Sequence, residues 1–349
     1  MESMSSVVFE GAGRVVVAAR PVPTVRDPRD VLIRVRATGI CGTDRAIVLG
    51  EFPAKPGVVL GHESVGEVVT TGASVHGLRP GDRVVVNPTY YCRRCRPCRR
   101  DRAAHCEAKD GREMGVDCDG TMASYAVVPA RFLHPISPAV PDRRAALVEP
   151  LACVLANIEA AGGRWDDRVL VAGAGPIGML CALTLAQRGV RVVLAERDPA
   201  RVEIATAVLP RTVQVTATDG GLAGATPHRP DVVIDTTGVL LADAVDLVEP
   251  GGTVVVMGER EGARATVRPR AIATQGVRVV GAGPYPPHLF EAAVDLAVDL
   301  PMECLVTHEL PVTRVADALA LLGVDLERVR GRDYEAGKVL LVPEPDGDR

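Results

Sequence analysis

Between Gly39 and Glu63 the chain sets a cysteine, a histidine and carboxylates among glycines: Gly39-Ile40-Cys41-Gly42-Thr43-Asp44, then Gly61-His62-Glu63. A thiolate, an imidazole and a carboxylate are zinc ligands, and a catalytic zinc ion takes three such protein groups and keeps a fourth position open. Cys41 and His62 would supply the sulfur and the nitrogen, and Glu63 would complete that set or stand just behind it. Thr43, two residues from the thiolate, adds a neutral hydroxyl able to hand on a proton. Taken singly, Cys41 reads better as a small buried hydrophobe and His62 as a core histidine; for the pair the two readings balance, so the rest of the chain must decide.

A second cysteine group follows, Cys92-Arg93-Arg94-Cys95-Arg96-Pro97-Cys98 and then Cys106. The spacing C-x2-C-x2-C-x7-C lets four thiolates close on one ion from a short lobe, and a four-thiolate zinc with no open position is structural. The rival is an iron–sulfur cluster, whose bacterial spacing is C-x2-C-x2-C-x3-C-P; here the last gap is longer and Cys106 precedes Glu107. Arg93, Arg94, Arg96, Arg99, Arg100 and Arg102 crowd this lobe. With no aromatics interleaved in the run, they read as a solvated face balancing an anionic centre rather than a nucleic-acid patch. The remaining cysteines, Cys118, Cys153, Cys181 and Cys304, are isolated and read as packing residues. Nine cysteines so distributed suit metal binding better than a disulfide framework.

These groups need elements to hold them. From Val7 to about Pro150 the sequence alternates short β-branched runs with Gly and Pro, and predicts strands at Val15 to Ala18, Val31 to Val35, Ser64 to Val69 and Arg83 to Val86. The expectation is a small β-rich barrel with the Cys41 and His62 stretches in its connections. From Ala145 to Ala161, Leu147, Leu151, Val154, Leu155 and Ile158 recur at helical spacing. Glu149, near the start of that stretch, either complements the helix dipole or is a second acidic ligand.

Arg168 to Ala172 then predicts a strand that runs into Gly173-Ala174-Gly175-Pro176-Ile177-Gly178, with a helix over Met179 to Arg188. A G-x-G-x-x-G turn between a strand and a helix is the context for a dinucleotide pyrophosphate at the helix N-terminus. A second strand, Arg191 to Ala195, ends at Glu196, where a carboxylate accepts hydrogen bonds from the adenosine ribose and repels a 2′-phosphate. NAD is therefore favoured over NADP, although Arg197 and Arg201 lie close enough to temper the preference. Strands at Asp231 to Asp235, Thr253 to Met257 and Val277 to Val280 end near Thr237, Met257, Gly258 and Ala282, as a dinucleotide lying across parallel strand ends requires. Helices are expected at Ala242 to Leu247, Leu289 to Leu300 and Val315 to Leu322, and strands at Thr307 to Leu310 and Lys338 to Val342.

Together these residues resemble the zinc-dependent medium-chain dehydrogenase/reductase superfamily: the Cys41 and His62 motifs, the four-cysteine lobe, Gly81-Asp82-Arg83-Val84 and the Gly173 to Gly178 turn occur in that family's order. The resemblance implies an α/β chain with a GroES-like β-rich catalytic domain, residues 1–151 and 287–349, interrupted by a Rossmann doubly wound parallel-sheet domain, residues 152–286, with the active site in the cleft between them. It implies two zinc ions per chain, a small alcohol or ketone substrate, and a homodimer or homotetramer. Glu149-Pro150-Leu151 is similar to the polyol (sorbitol-like), threonine and glucose dehydrogenase branch, and the residues from Cys41 to Val48 to the glucose dehydrogenase motif. Ala46 stands where many alcohol dehydrogenases carry a relay histidine. The function expected is hydride transfer between a secondary alcohol of a polyol, sugar or cyclitol, aminocyclitols included, and NAD. Alternatives are a threonine or simple-alcohol dehydrogenase and a non-catalytic dinucleotide-binding relative. Phe52, Tyr90, Met114 and Tyr285 are candidates for the pocket wall.

The 349 residues exceed what one hydrophobic core usually serves. A net charge of -4 gives no reason to expect nucleic acid or an anionic membrane. No apolar run nears a bilayer span and Met1 to Arg14 lacks a signal-peptide order, so the expected location is cytoplasmic. Arginine supplies nearly every basic residue, with lysine only at Lys55, Lys109 and Lys338, which reads as genome bias.

Overall fold

The computed structural model describes residues 3–100, 102–162, 168–331 and 336–344. The chain divides into two compact units, Met1–Pro150 with Pro286–Arg349, and Leu151–Tyr285.

In the first unit the β-branched runs form β1 (Ser3–Gly11), β2 (Arg14–Pro21), β3 (Asp30–Gly39), β4 (Glu63–Thr71), β5 (Arg83–Val86), β6 (Tyr125–Pro129) and β7 (Leu133–Pro135), with α1 (Gly42–Leu49) between β3 and β4. Then come α2 (Asp142–Ala145) and α3 (Val148–Ala161), which passes into the second unit after Pro150. The second unit contains β8 (Arg168–Ala172), α4 (Pro176–Gln187), β9 (Arg191–Glu196), α5 (Pro199–Val208), β10 (Val213–Ala217), β11 (Val232–Asp235), α6 (Leu241–Leu247), β12 (Thr253–Val256), α7 (Pro269–Gln275) and β13 (Arg278–Val280). The tail returns to the first unit as α8 (Pro287–Leu296), β14 (Val306–Pro311), α9 (Val315–Leu321), β15 (Val324–Asp325), β16 (Arg330–Gly331) and β17 (Lys338–Val342).

The main sheet of the first unit has the order β14-β17-β3-β4-β5-β7, with β6 also paired to β3. Its centre is β3, where Gly39 stands opposite Glu63 of β4 and Leu340 of β17. Three segments distant in sequence therefore meet at one point. Two register shifts along β3 and β4, at Leu32/Ile33 and Val35/Ala37, bend the pair, as bulges do. One apolar cluster, including Val7, Phe9, Ile47, Val48, Leu60, Met122 and Leu341, lies under α1. A second, including Ile33, Val68, Val84, Tyr91 and Phe132, takes in Cys106 and packs against Cys92, Cys95 and Cys98.

The sheet of the second unit is parallel, in the order β10-β9-β8-β11-β12-β13. This is the strand order 3-2-1-4-5-6, and its switch point falls between β8 and β11, at whose carboxyl ends such sheets bind ligands. Leu170, Val233, Val254, Ala244 and Val245 fill the core on one face. Near-continuous apolar strands such as Val232–Asp235, all buried, are what a sheet covered on both faces requires.

Several expectations are corrected. The stretch from Ala145 to Ala161 is not one helix: α2 ends at Ala145, Leu147 donates back to Arg144 in a tight turn, and α3 starts at Val148. Pro150 fits there because the first helical turn has no partner for its missing N–H. The helix expected over Leu289 to Leu300 runs Pro287–Leu296 instead, since Pro286-Pro287 presets its start. Thr253 to Met257 is a strand only through Val256. The Cys41 and His62 stretches are not wholly loop: Cys41 is the N-cap of α1 and Glu63 opens β4. Among the described residues no helix is long and apolar enough to cross a membrane.

Candidate metal centres and dinucleotide site

Sequence neighbours 21 residues apart come together first. One donor atom each from Cys41, His62 and Glu63 lies within 4.8 Å of the others. Asp44, which sequence reasoning did not single out, explains how. Its buried carboxylate accepts from the Cys41 N–H at 2.8 Å and from the Gly61 N–H at 3.2 Å, and one oxygen lies 4.0 Å from His62 Nδ1. One side chain thus ties the start of α1 to the residue before the imidazole. The local signal was available, since an acidic residue three positions after the N-cap closes a capping box.

Thr43 lies in the first turn of α1, where the Cys41 thiol donates to its Oγ1 at 3.7 Å. Burial works to lower the affinity of His62 for a proton, but the Cys41 sulfur, Asp44 and Glu149 outweigh it and hold the imidazole well above its usual range. A metal ion would take the proton's place on a neutral imidazole. The thiol, imidazole and carboxylate set therefore fits zinc. Glu149 is 8% exposed and acts electrostatically on His62, but it is not part of the three-residue donor set.

Glu63 has a partner that sequence reasoning also missed. Its Oε2 accepts from the Lys338 ammonium, at the head of β17, in an ion pair whose side chains are 1% and 4% exposed. A Cβ on Gly39 would run into that carboxylate oxygen and Lys338 Cε, so glycine at this point of β3 makes room for the pair.

The second cysteine group also converges. One sulfur from each of Cys92, Cys95, Cys98 and Cys106 lies within 4.8 Å of the others, with Cys92 to Cys98 at 4.0 Å and Cys95 to Cys106 at 3.9 Å. Four sulfurs about 2.3 Å from one tetrahedral ion stand roughly 3.8 Å apart, so the lobe fits zinc. Backbone N–H groups of Cys92 and Ala108 donate to Cys106 Sγ, and that of Cys95 to Cys92 Sγ. The Cys92 thiol is lowered to about 6, chiefly by the N–H groups of Arg94 and Cys95. Burial, with the neighbouring Cys95 sulfur, pushes Cys98 up to about 12. Sulfurs this close cannot all be thiolates without a cation among them.

Tyr90 packs in this second region, under Arg112 and Arg131 and against Phe132, and Met114 packs with it. Phe52 packs on the cluster under α1, and Tyr285 is fully buried in the second unit. Tyr90 and Met114 thus share one cluster, and Phe52 packs on another.

In the second unit, Gly173 leaves β8 at φ +98° and packs against Thr236 and Thr237 after β11. A Cβ on Gly178 would strike the Gly173 carbonyl, whereas one on Gly175 would meet nothing within 4 Å. Packing explains Gly178; the free space at Gly175, the N-cap of α4 with Pro176 in its first turn, suits a pyrophosphate on the helix N-terminus. Ile177 follows within α4. Glu196 ends β9, and its carboxylate accepts from Ala174 N at 2.7 Å, Arg197 N at 2.8 Å and Asp198 N at 3.0 Å. It thereby fixes the glycine turn as well as facing it. Arg201 lies 3.8 Å from Glu196 and 3.9 Å from Asp198. Asp235 gathers the turn after β11 by accepting from Thr237, Gly238 and Leu240, and its carbonyl accepts from Met257 and Gly258. Ala282 follows β13, half-buried.

Comparison with known proteins finds relatives for both parts of the chain. Residues 27–138 match the alcohol dehydrogenase GroES-like domain, and residues 176–299 match the zinc-binding dehydrogenase domain. The chain is 35% identical over 327 residues to D-altritol 5-dehydrogenase of Agrobacterium fabrum, covering 89% of this chain and 94% of that one. It is 32% identical over 308 residues to D-xylulose reductase A of Aspergillus oryzae, covering 83% and 85%. A solved structure described as a zinc-binding dehydrogenase of Sinorhizobium meliloti 1021, bound to NADP, superposes with a TM-score of 0.88 at 29% identity, over 98% of this chain and all of that one. With both domains matched in order along most of its length, the chain belongs to the zinc-dependent medium-chain dehydrogenase/reductase superfamily and is an oxidoreductase.

Proposed function

We propose that this enzyme reversibly oxidises a secondary alcohol of a polyol, sugar or cyclitol, aminocyclitols included, with NAD as hydride acceptor. The observation that carries the reading is the convergence of Cys41, His62 and Glu63 on one point, with Glu149 close enough to act on the imidazole. The sequence relatives that act on D-altritol and D-xylulose support the substrate class. Cys41, His62 and Glu63 or Glu149 would hold the catalytic zinc, and Cys92, Cys95, Cys98 and Cys106 a structural one.

When bound, zinc supplies a Lewis acid that lowers the pKa of a substrate hydroxyl, and the nicotinamide accepts the hydride. The chain's own groups do the rest. Asp44 orients both ligand-bearing segments, and Thr43 Oγ1, beside the thiolate, takes the proton released from the substrate. Ala46 offers no further relay along α1, so beyond Thr43 the hydroxyls of a bound cofactor's ribose, with water, would supply the proton's way out. The carboxylate of Glu63 or Glu149 that does not ligate the metal can accept from a neighbouring substrate hydroxyl, which a polyol has and a simple alcohol lacks. Gly173, Gly175 and Gly178 with the N-terminus of α4 would hold the pyrophosphate. Glu196 places negative charge at the adenosine ribose, and Arg201 is drawn toward two carboxylates, which favours NAD over NADP.

A substrate panel of sugars, acyclic polyols, cyclitols and amino alcohols, run with NAD⁺ and with NADP⁺ and read by nicotinamide absorbance, tests this. Turnover is expected on polyhydroxylated secondary alcohols, faster with NAD⁺, and lost in Cys41→Ala together with one of two zinc ions. Turnover restricted to threonine or simple alcohols would refute the substrate class. Full zinc and full turnover in Cys41→Ala would refute the centre.

A further inference from the structure

The ion pair between Lys338 and Glu63 joins residues 275 apart in sequence. Lys338 is 3% exposed at the head of a strand whose other residues, Val339 to Val342, are apolar. Withdrawing an ammonium from water is costly, and an isolated buried lysine would give up its proton. Lys338 is not isolated: its ammonium meets the carboxylate of Glu63, one of the proposed ligands of the metal centre.

Fold stability does not account for such a pair, because a buried ion pair is commonly replaced by apolar side chains of similar volume at no loss. The geometry accounts for it better. A carboxylate has two oxygens, and the ammonium engages Oε2 of Glu63, fixing the plane and position of the group whose neighbours are Cys41 and His62. Ligating carboxylates are ordinarily held in this way by an outer hydrogen-bond partner. Gly39 provides the space in which carboxylate and ammonium meet.

We propose that Lys338 is a positioning residue of the mixed-ligand metal centre, acting through Glu63: its ammonium holds that carboxylate beside Cys41 and His62 and offsets part of the anionic charge gathered there. The inference rests on the zinc reading given above. It assigns to β17, the last strand among the described residues, a part in a site otherwise built from β3, α1 and β4.

Chelator competition on the two-zinc protein tests it, with the four-cysteine ion as an internal standard for an intact fold. Lys338→Met is expected to weaken zinc at the Cys41 centre by roughly 10–100-fold, while the four-cysteine ion is released as in the wild type. In a Glu63→Gln background the same substitution should add little, since the carboxylate through which it acts is gone. That double variant carries no unmatched buried charge from the pair, so it supplies the comparison even if Lys338→Met alone does not fold. Wild-type affinity in Lys338→Met, or an equal loss with and without the Glu63 carboxylate, overturns the assignment. Failure of the zinc reading itself looks different: Cys41→Ser would then keep both ions.

Discussion

The two candidate metal centres solve one problem in opposite ways. The four-cysteine lobe draws every donor from 15 residues, Cys92 to Cys106, and stabilises its thiolates with backbone N–H groups from the same turns. It uses identical ligands and leaves no side for a substrate. The Cys41 centre assembles different donors from separate elements and relies on side chains, Asp44 and Lys338, to hold them. A site of the first kind secures a fold. One of the second kind has groups to spare for chemistry and a charge balance that can be adjusted from outside the donor set.

The sharpest way to break this contrast is to remove one sulfur from each centre. Cys95→Ser should lose the lobe's ion and with it folding free energy, because a structural zinc contributes to folding outright; thermal melting should fall clearly. Cys41→Ser should lose the other ion and leave melting near that of the wild type, while kcat/KM falls on the order of a thousandfold, the equivalent of several kcal/mol of charge stabilisation. Zinc content, melting and kinetics on the same two preparations check both. If Cys41→Ser melts as early as Cys95→Ser, the division into structural and catalytic centres is wrong.

Asp44 gives a smaller and more specific effect. Asp44→Asn presents an N–H where the native oxygen accepts from Cys41 or Gly61, so the two ligand segments lose their common tie. Zinc affinity at the Cys41 centre should fall by roughly 10–100-fold, with the four-cysteine ion unmoved. Chelator titration of the variant resolves the two ions. Parallel weakening of both would mean that Asp44 supports the whole unit rather than this centre.

How much of each centre could be read from sequence follows from the same contrast. The lobe's ligands lie close together, so spacing alone declares them. Cys41, His62 and Glu63 showed as ligand types, but their convergence depends on Asp44 bridging α1 to Gly61 and on β3 pairing with both β4 and β17. Lys338 was invisible for that reason. Its only local sign was a lysine opening an apolar strand in a chain that uses arginine for nearly every other basic residue, and that sign was read as composition. The glycine turn was legible because strand, turn and helix are contiguous. The additional role of Glu196, anchoring Ala174, was not, because it depends on the parallel pairing of β8 with β9. The break between α2 and α3 was hidden because apolar spacing continues through Leu147, which stays buried in the turn.

The smallest expected effect comes from a pair outside both donor sets and serves as their control. Arg144 of α2 grips Glu303 with two hydrogen bonds of 2.6 Å and also donates to the Val298 carbonyl at 2.8 Å, clamping α2 to the chain beyond α8. The guanidinium holds the Glu303 carboxyl below its ordinary range. A carboxylate whose folded pKa lies below its unfolded value, about 4.3, contributes stability above that unfolded value. The contribution is lost as pH falls through the folded value. Glu303→Gln should therefore cost about 1 kcal/mol at neutral pH, given that the pair is partly exposed, and zinc content should stay at two per chain. Denaturant melts of wild type and variant should converge as pH drops from the unfolded value through the lowered folded one. Release of metal in acid affects both proteins equally, so it cancels in their difference. A gap that persisted in acid would assign the cost to lost packing of the side chain rather than to its charge, and would leave Arg144 bound by its backbone contacts alone.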